Sequence, residues 1–339
     1  MTNRAFIAGL SGLELSPDER SFFREAQPWG FILFRRNVDS PGQVRILCDA
    51  LRETTGRDDT PILVDQEGGR VQRLGPPHWP RYPSGRTYGN LHANDPIVRR
   101  EIVRLGGRLL AHDLLSVGIN VDCMPVLDVP VAGAHDVIGD RAYGRDPAGV
   151  AVLGRAAAEG LLAGGVLPVV KHIPGHGRAG VDSHLSLPVV TATLDELAAR
   201  DFAPFRILAD MPLAMTAHVV YTALDADNPA TTSPRIVREI IRDGIGFDGL
   251  LMTDDLSMKA LSGSFRDRAE AAIRAGCDML LHCNGTAEEA EQVAQAAPVL
   301  EGEPLRRAVA ALRRIRHEPE PFDPVDARAR LDAAVAMVA

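Results

Sequence analysis

Apolar residues in this chain come in short unbroken runs rather than in strict alternation with polar ones. Eight such runs punctuate it: Ala5–Gly9, Gly30–Phe34, Pro61–Val64, Ile119–Met124, Leu167–Val170, Leu213–Thr216, Gly249–Met252 and Asp278–His282. A short continuous apolar run bounded by glycine or polar residues predicts a strand buried on both faces. Between the runs lie amphipathic stretches rich in Ala, Leu and Arg, which predict helices over Asp95–Ser116, Pro147–Ala163, Thr193–Ala209, Ser233–Asp243 and Arg266–Gly276. Strands alternating with helices predict a parallel sheet. Eight repeats in a chain of 339 residues predict α/β architecture as one (β/α)₈ TIM-type barrel over 1–339. An open doubly wound sheet fits less well. No GxGxxG follows a strand, and the candidate polar residues follow many strands rather than one switch point.

Two connections are long, Gly75–Asn94 and Pro125–Pro147. Long structured loops in a compact barrel usually serve function. The Pro-rich acidic stretch Glu318–Pro324 precedes a last Ala/Arg/Val-rich segment, which predicts a helix packed on the barrel.

Composition narrows the class. An apolar content of 45% supports a large core, and a net charge of −8 gives no basic footprint for nucleic acid. Cys48, Cys123, Cys277 and Cys283 show no CxxC spacing and are expected to be small buried hydrophobes. The apolar part of Met1–Leu10 is too short for a signal peptide, and no run approaches the ~20 residues needed to span a bilayer. The expectation is a cytoplasmic monomer with no membrane partner.

A barrel carries its site at the C-terminal mouth of the strands. The residues following the runs are therefore the candidates. The third run leads into Asp65-Gln66-Glu67-Gly68-Gly69-Arg70, and Arg73 follows. The loop after the fourth bears Asp140-Arg141. The fifth runs out at Lys171-His172-Ile173-Pro174-Gly175-His176-Gly177, with Asp182-Ser183-His184 beyond. His218 follows the sixth, and Thr253-Asp254-Asp255 the seventh. Three histidines, a lysine and an aspartate fall within the fourteen residues 171–184. Buried polar groups must be satisfied, so such crowding points to a site rather than to core. Polar groups converging from separate strands suit a sugar, whose hydroxyls each want a fixed partner.

These motifs resemble the β-N-acetylglucosaminidases of glycoside hydrolase family 3, in the single-domain bacterial form that acts in cell-wall recycling. The resemblance spans most of the chain and rests on Val64–Val71, Val137–Arg141, Lys171–Gly177, Asp182–His184 and Thr253–Met258. It departs from the family at Ile173, usually Phe, and at Asp140, often Glu. It implies a retaining mechanism with a covalent glycosyl-enzyme. Asp254 would be the nucleophile, His184 the acid/base and Asp182 its orienting partner. Asp65, Arg73, Arg141, Lys171 and His172 would grip the sugar. It further implies exo-action on terminal N-acetylglucosamine of fragments ending in 1,6-anhydro-N-acetylmuramic acid, with no cofactor and no metal.

Each assignment has a plainer competitor. Asp254 or Asp255 could cap the next helix. Of the two, Asp254, as the first residue past the strand, should point into the mouth and Asp255 should turn away. Arg73 or Arg141 could form ion pairs with Asp65 or Glu67. His176 reads as a loop-stabilising histidine, His218 as either pocket wall or core, and Trp79 and Tyr82 as ordinary packing. The glycines Gly175, Gly177 and Gly180 suggest a mobile loop carrying His184. A glycoside phosphorylase and a metal-dependent barrel hydrolase using His172, His176, His184 and Asp254 are the competing activities; Asp128 and Asp136 add no ligand spacing.

Overall fold

The computed structural model describes residues 3–92, 94–183 and 186–337. Its centre is a closed barrel of parallel strands. These are β1 (Arg4–Gly9), β2 (Pro28–Leu33), β3 (Ile62–Val64), β4 (Val121–Asp122), β5 (Leu167–Ile173), β6 (Leu213–Thr216), β7 (Leu250–Asp255) and β8 (Met279–His282). Each strand pairs with the next in sequence, and β8 closes on β1 through Phe6↔Leu280 and Ala8↔His282. All eight apolar runs thus became barrel strands.

The reason they read as continuous is visible in the packing. Successive side chains alternate between two cores. Ile7, Ile32, Leu63, Val169, Leu213 and Met252 fill the barrel interior. Phe6, Phe31, Leu33, Val64, Val170 and Leu251 face the surrounding helices. The helix Gly302–Arg313 adds Ala308, Ala311 and Leu312 to the interior cluster. The last helix, Pro324–Ala336, packs on the helix Pro96–Leu115. No helix among the described residues is long and apolar enough to cross a membrane.

Strand ends differ from the sequence reading where charge was taken as a stop signal. Lys171 and His172 lie within β5, and Thr253–Asp255 within β7. At the barrel mouth their polar side chains are satisfied by neighbouring strands, so the ladder continues through them. The pairing register slips between Lys171 and Ile173 on β5 and between Met252 and Asp255 on β7. Such irregularities re-aim side chains. Strand β4 is shorter than predicted. Pro125 has no N–H to give, and pairing resumes only as the isolated bridge Val126↔Lys171.

Two helices also differ. The predicted Thr193–Ala209 helix is broken into Leu194–Glu196, a π-helical turn Leu197–Asp201, and Ala203–Ile207. Pro204, in the last piece, cannot donate to an upstream carbonyl. The Ser233–Asp243 segment winds as a π-helix over Ile236–Ile245 and stops at Gly246, whose φ of 82° ends it.

Candidate active site

The mouth of the barrel holds a cavity of about 160 Å³. Asp65, Arg73, Arg141, Lys171, His172 and Asp254 all line it. They come from the ends of β3, β5 and β7 and from the long loop after β4. Asp182 belongs to the segment beyond β5, next to the cavity-lining Ser183. His184 lies outside the described residues.

A short hairpin brings the first pair together. Gln66–Gly68 and Val71–Gln72 pair antiparallel across Gly68-Gly69, whose φ values of 91° and 57° few other residues adopt. The Gln66 side chain accepts from the Arg73 and Leu74 amides at 2.9 and 3.0 Å and donates to the Leu74 carbonyl. Arg73 is thereby folded back onto Asp65, Nη2 to Oδ2, at 2.9 Å.

Lys171 joins this pair to the next. Its Nζ lies 2.8 Å from Asp65 Oδ1 and 2.7 Å from Glu67 Oε1, and the side chain is only 2% exposed. Arg141 grips Glu67 with two bonds, at 2.9 and 2.8 Å. Both ion pairs that competed with sugar binding therefore exist. They leave capacity over: one N–H of Lys171 and a second lone pair on each Asp65 oxygen. Groups fixed by ion pairs that still keep spare donors and acceptors are what a preorganised ligand site needs.

The charges are mutually sustained. Burial would push Lys171 down, but Asp65 and Glu67 outweigh it and hold it above its usual range. Burial would raise Glu67, but Arg141 and Lys171 hold it at about 2. Asp65 is held well below the usual carboxylate range by Lys171 and Arg73 against the same burial. Asp122, beneath them, is the exception. Burial pushes it to about 8, and its Oδ2 has no partner among the described residues. At neutral pH it is uncharged. Two carboxylates then face three cations, and the cluster carries net positive charge.

On the other wall, Asp128 organises the Lys171–Gly177 motif. Its Oδ2 meets His172 Nδ1 at 2.7 Å, and its Oδ1 accepts from the His172 and His176 amides at 3.2 and 2.6 Å. It is fully buried. The bond fixes Nδ1 as the protonated nitrogen and leaves His172 Nε2 for a ligand. Burial alone would raise Asp128, but the His172 ring and the donated bonds hold it at about 2. Replacing Asp128 by Ala strips acceptors from three buried donors. We expect a loss of about 3–5 kcal/mol, the scale for breaking a buried charged contact, read as a lower urea midpoint.

Two aspartates stand at the end of β7. Asp255 is saturated: it accepts from Ser257 N and Oγ, Cys283 N and Asn284 Nδ2, tying β7 to β8. Asp254 Oδ1 accepts from the Asp255 amide at 2.8 Å, and the carboxylate borders the cavity. Contrary to the sequence reading, neither lies past the strand and both touch the cavity.

Other candidates fall behind the site. His218 is fully buried, bonded to Thr231 Oγ1 and the Asp255 carbonyl, and is core. Trp79 and Tyr82 are buried, and the Tyr82 hydroxyl donates to Asp113. All four cysteines are free and buried. Of the three loop glycines, Gly175 packs on Asp201, and a Cβ at Gly177 would meet the Val129 carbonyl at 2.2 Å. Only Gly180 has open space around it.

The model of the glycosyl hydrolase family 3 N terminal domain matches residues 10–317. The chain belongs to glycosyl hydrolase family 3. Its family-3 relatives include a beta-hexosaminidase of Alkalilimnicola ehrlichii, 41% identical over 282 residues, which are 82% of this chain and 80% of that protein. A beta-hexosaminidase of Bordetella avium is 39% identical over the same shares. The structure of NagZ from Neisseria gonorrhoeae in complex with N-trifluoroacetyl-D-glucosamine superposes with a TM-score of 0.85 at 33% identity, covering 100% of this chain and 98% of that one. This family-3 barrel is a glycoside hydrolase.

Sequence reasoning did not place Glu67 and Asp128 in the site, although both are buried against its predicted members. Asp128 lies 44 residues from His172. Its signal was topological: it follows the fourth strand, which neighbours the fifth in any such barrel.

Proposed function

We propose that the protein is a retaining exo-β-N-acetylglucosaminidase. It removes terminal N-acetylglucosamine from fragments joined to 1,6-anhydro-N-acetylmuramic acid, acting as a cytoplasmic monomer in peptidoglycan recycling. The observation that carries the reading is the convergence of Asp65, Arg73, Arg141, Lys171, His172 and Asp254 on one small cavity. At about 160 Å³ it is well below the ~300–1,000 Å³ of most drug-sized ligand sites. It suits one sugar ring rather than a chain, as exo-action requires. Membership of family 3, with beta-hexosaminidases among the relatives, supports the sugar class.

In this reading Asp254 attacks the anomeric carbon. The bond to the leaving oxygen breaks with its electron pair, and His184 supplies the proton. Water then attacks the same carbon, the bond to Asp254 breaks, and His184 takes the proton back. An imidazole suits both steps because its ordinary pKa lies near working pH. Asp182 stabilises the imidazolium, as the aspartate of a serine-protease triad does. Lys171, Arg73 and His172 hold hydroxyls through the capacity left over from their ion pairs.

Proton NMR of the first-formed product tests the stereochemistry: the β-anomer is expected, and an α-anomer refutes the reading. Running the reaction with phosphate present distinguishes the acceptor. Free sugar is expected, whereas a sugar 1-phosphate would make the enzyme a phosphorylase.

A further inference from the structure

The loop after β8 reaches the same cavity. Cys283 and Asn284 both line it, beside polar residues that come from β3, β5, β7 and the loops beyond β4 and β5. The Cys283 backbone is pinned twice. Its amide donates to Asp255 Oδ1 at 3.0 Å, and its carbonyl accepts from Arg36 Nη2 at 2.6 Å. The Asn284 side chain is held by the same two residues. Its Oδ1 accepts from Arg36 Nη1 at 2.7 Å, and its Nδ2 donates to Asp255 Oδ2 at 3.1 Å. Arg36 is itself fixed. Its Nε donates to the Leu10 carbonyl at 2.7 Å, and its guanidinium lies over the Phe34 ring, 4.8 Å from the centroid.

We propose that Asn284 is a further substrate-binding residue, whose carboxamide takes a hydroxyl of the sugar in the small cavity. The inference rests on the reading of that cavity as the seat of an N-acetylglucosamine ring.

The two partners settle which way the amide points. A guanidinium only donates and a carboxylate only accepts. The oxygen must therefore face Arg36 and the nitrogen Asp255. A flipped amide would set donor against donor at one end and acceptor against acceptor at the other. A carboxamide has two N–H groups and two lone pairs on its oxygen. Arg36 and Asp255 use one of each, and the remaining N–H and lone pair have no partner among the described residues. A sugar hydroxyl both donates and accepts, so it matches that pair. Asn284 is exposed at the cavity rim, which leaves the spare groups open to a ligand. Its framework is meanwhile fixed from the ends of β1, β2 and β7. A group held this way has little freedom left to lose on binding.

Substrates lacking one hydroxyl at a time test this. The 4-nitrophenyl β-N-acetylglucosaminide and its 3-, 4- and 6-deoxy forms are assayed with the wild-type enzyme and with Asn284→Ala. We expect the variant to lose about 3–10-fold in kcat/KM on the parent glycoside, the scale of one neutral hydrogen bond. On one deoxy glycoside it should match the wild type, because the partner hydroxyl is already gone. On the other two the full loss should remain. Arg36→Met frees the amide at a residue that does not line the cavity, and should repeat the pattern on the same deoxy glycoside. It decides alone should Asn284→Ala not fold. An equal loss on all four substrates makes Asn284 a mere brace between Arg36 and Asp255 and overturns the assignment, as does no loss on the parent. The wild-type rate separates the two readings. If the wild type leaves the parent glycoside uncleaved, the sugar reading falls and the assignment with it. If it cleaves the parent and the losses are equal, only the role of Asn284 falls.

Discussion

Asp254→Ala should lower kcat by roughly four orders of magnitude or more while leaving the protein folded, the scale seen when a covalent nucleophile is removed. The prediction rests on where the carboxylate stands: it borders the same cavity as Asp65, Lys171 and His172. Asp255→Ala should behave oppositely. That side chain takes four hydrogen bonds that join β7 to β8. Removing it should lower the unfolding midpoint, and activity should fall as a consequence. Paired kinetics and urea unfolding of the two variants separate chemistry from architecture at adjacent positions.

His184→Ala carries the second large effect, and its signature is a split between substrates. With an alkyl leaving group, kcat/KM should fall by about 10²–10⁴-fold, the usual worth of a positioned general acid. With 4-nitrophenolate, which departs without a proton, kcat/KM should change little. Yet kcat on that substrate should drop, because the second step still needs a base, and KM should fall with it as the glycosyl-enzyme accumulates. A uniform loss on both substrates contradicts the acid role.

Much of this molecule is legible in its sequence for a physical reason. Strands covered on both faces must be apolar throughout, so Gly30–Phe34 or Leu213–Thr216 cannot be mistaken for a half-exposed hairpin. Their number then fixes the barrel, and the barrel fixes where Asp65, Lys171 and Asp254 must meet. What failed was the assumption that charge ends a strand. Lys171 and His172 continue β5 because Asp65, Glu67 and Asp128 meet them from neighbouring elements. Compensation from a residue 106 positions away leaves no local trace. The Gly68-Gly69 turn did leave one, since two glycines between short runs read as a hairpin. It would have placed Arg73 on Asp65. The loop glycines show the converse. Three in nine residues, 172–180, suggested motion, but Gly175 and Gly177 serve close approach of other chain segments. Only space around the residue, which sequence does not display, separates those roles.

The same comparison explains why Glu67 was read only as an ion-pair partner for Arg73 or Arg141 and not as a member of the site. A buried glutamate flanked by glycines reads as part of a turn. Only the bidentate grip of Arg141 and the contact with Lys171 show that it keeps both cations in place.

The account stands on a carboxylate of β7 becoming covalently bound to the sugar. The most direct test is to quench the enzyme with a 2-acetamido 5-fluoro glycosyl fluoride and map the digest by mass spectrometry. The expected result is one added glycosyl residue on the peptide containing Asp254, absent in Asp254→Ala. A label on any other peptide, or a substrate consumed with no adduct while the acetamido group closes on its own anomeric carbon, would contradict it.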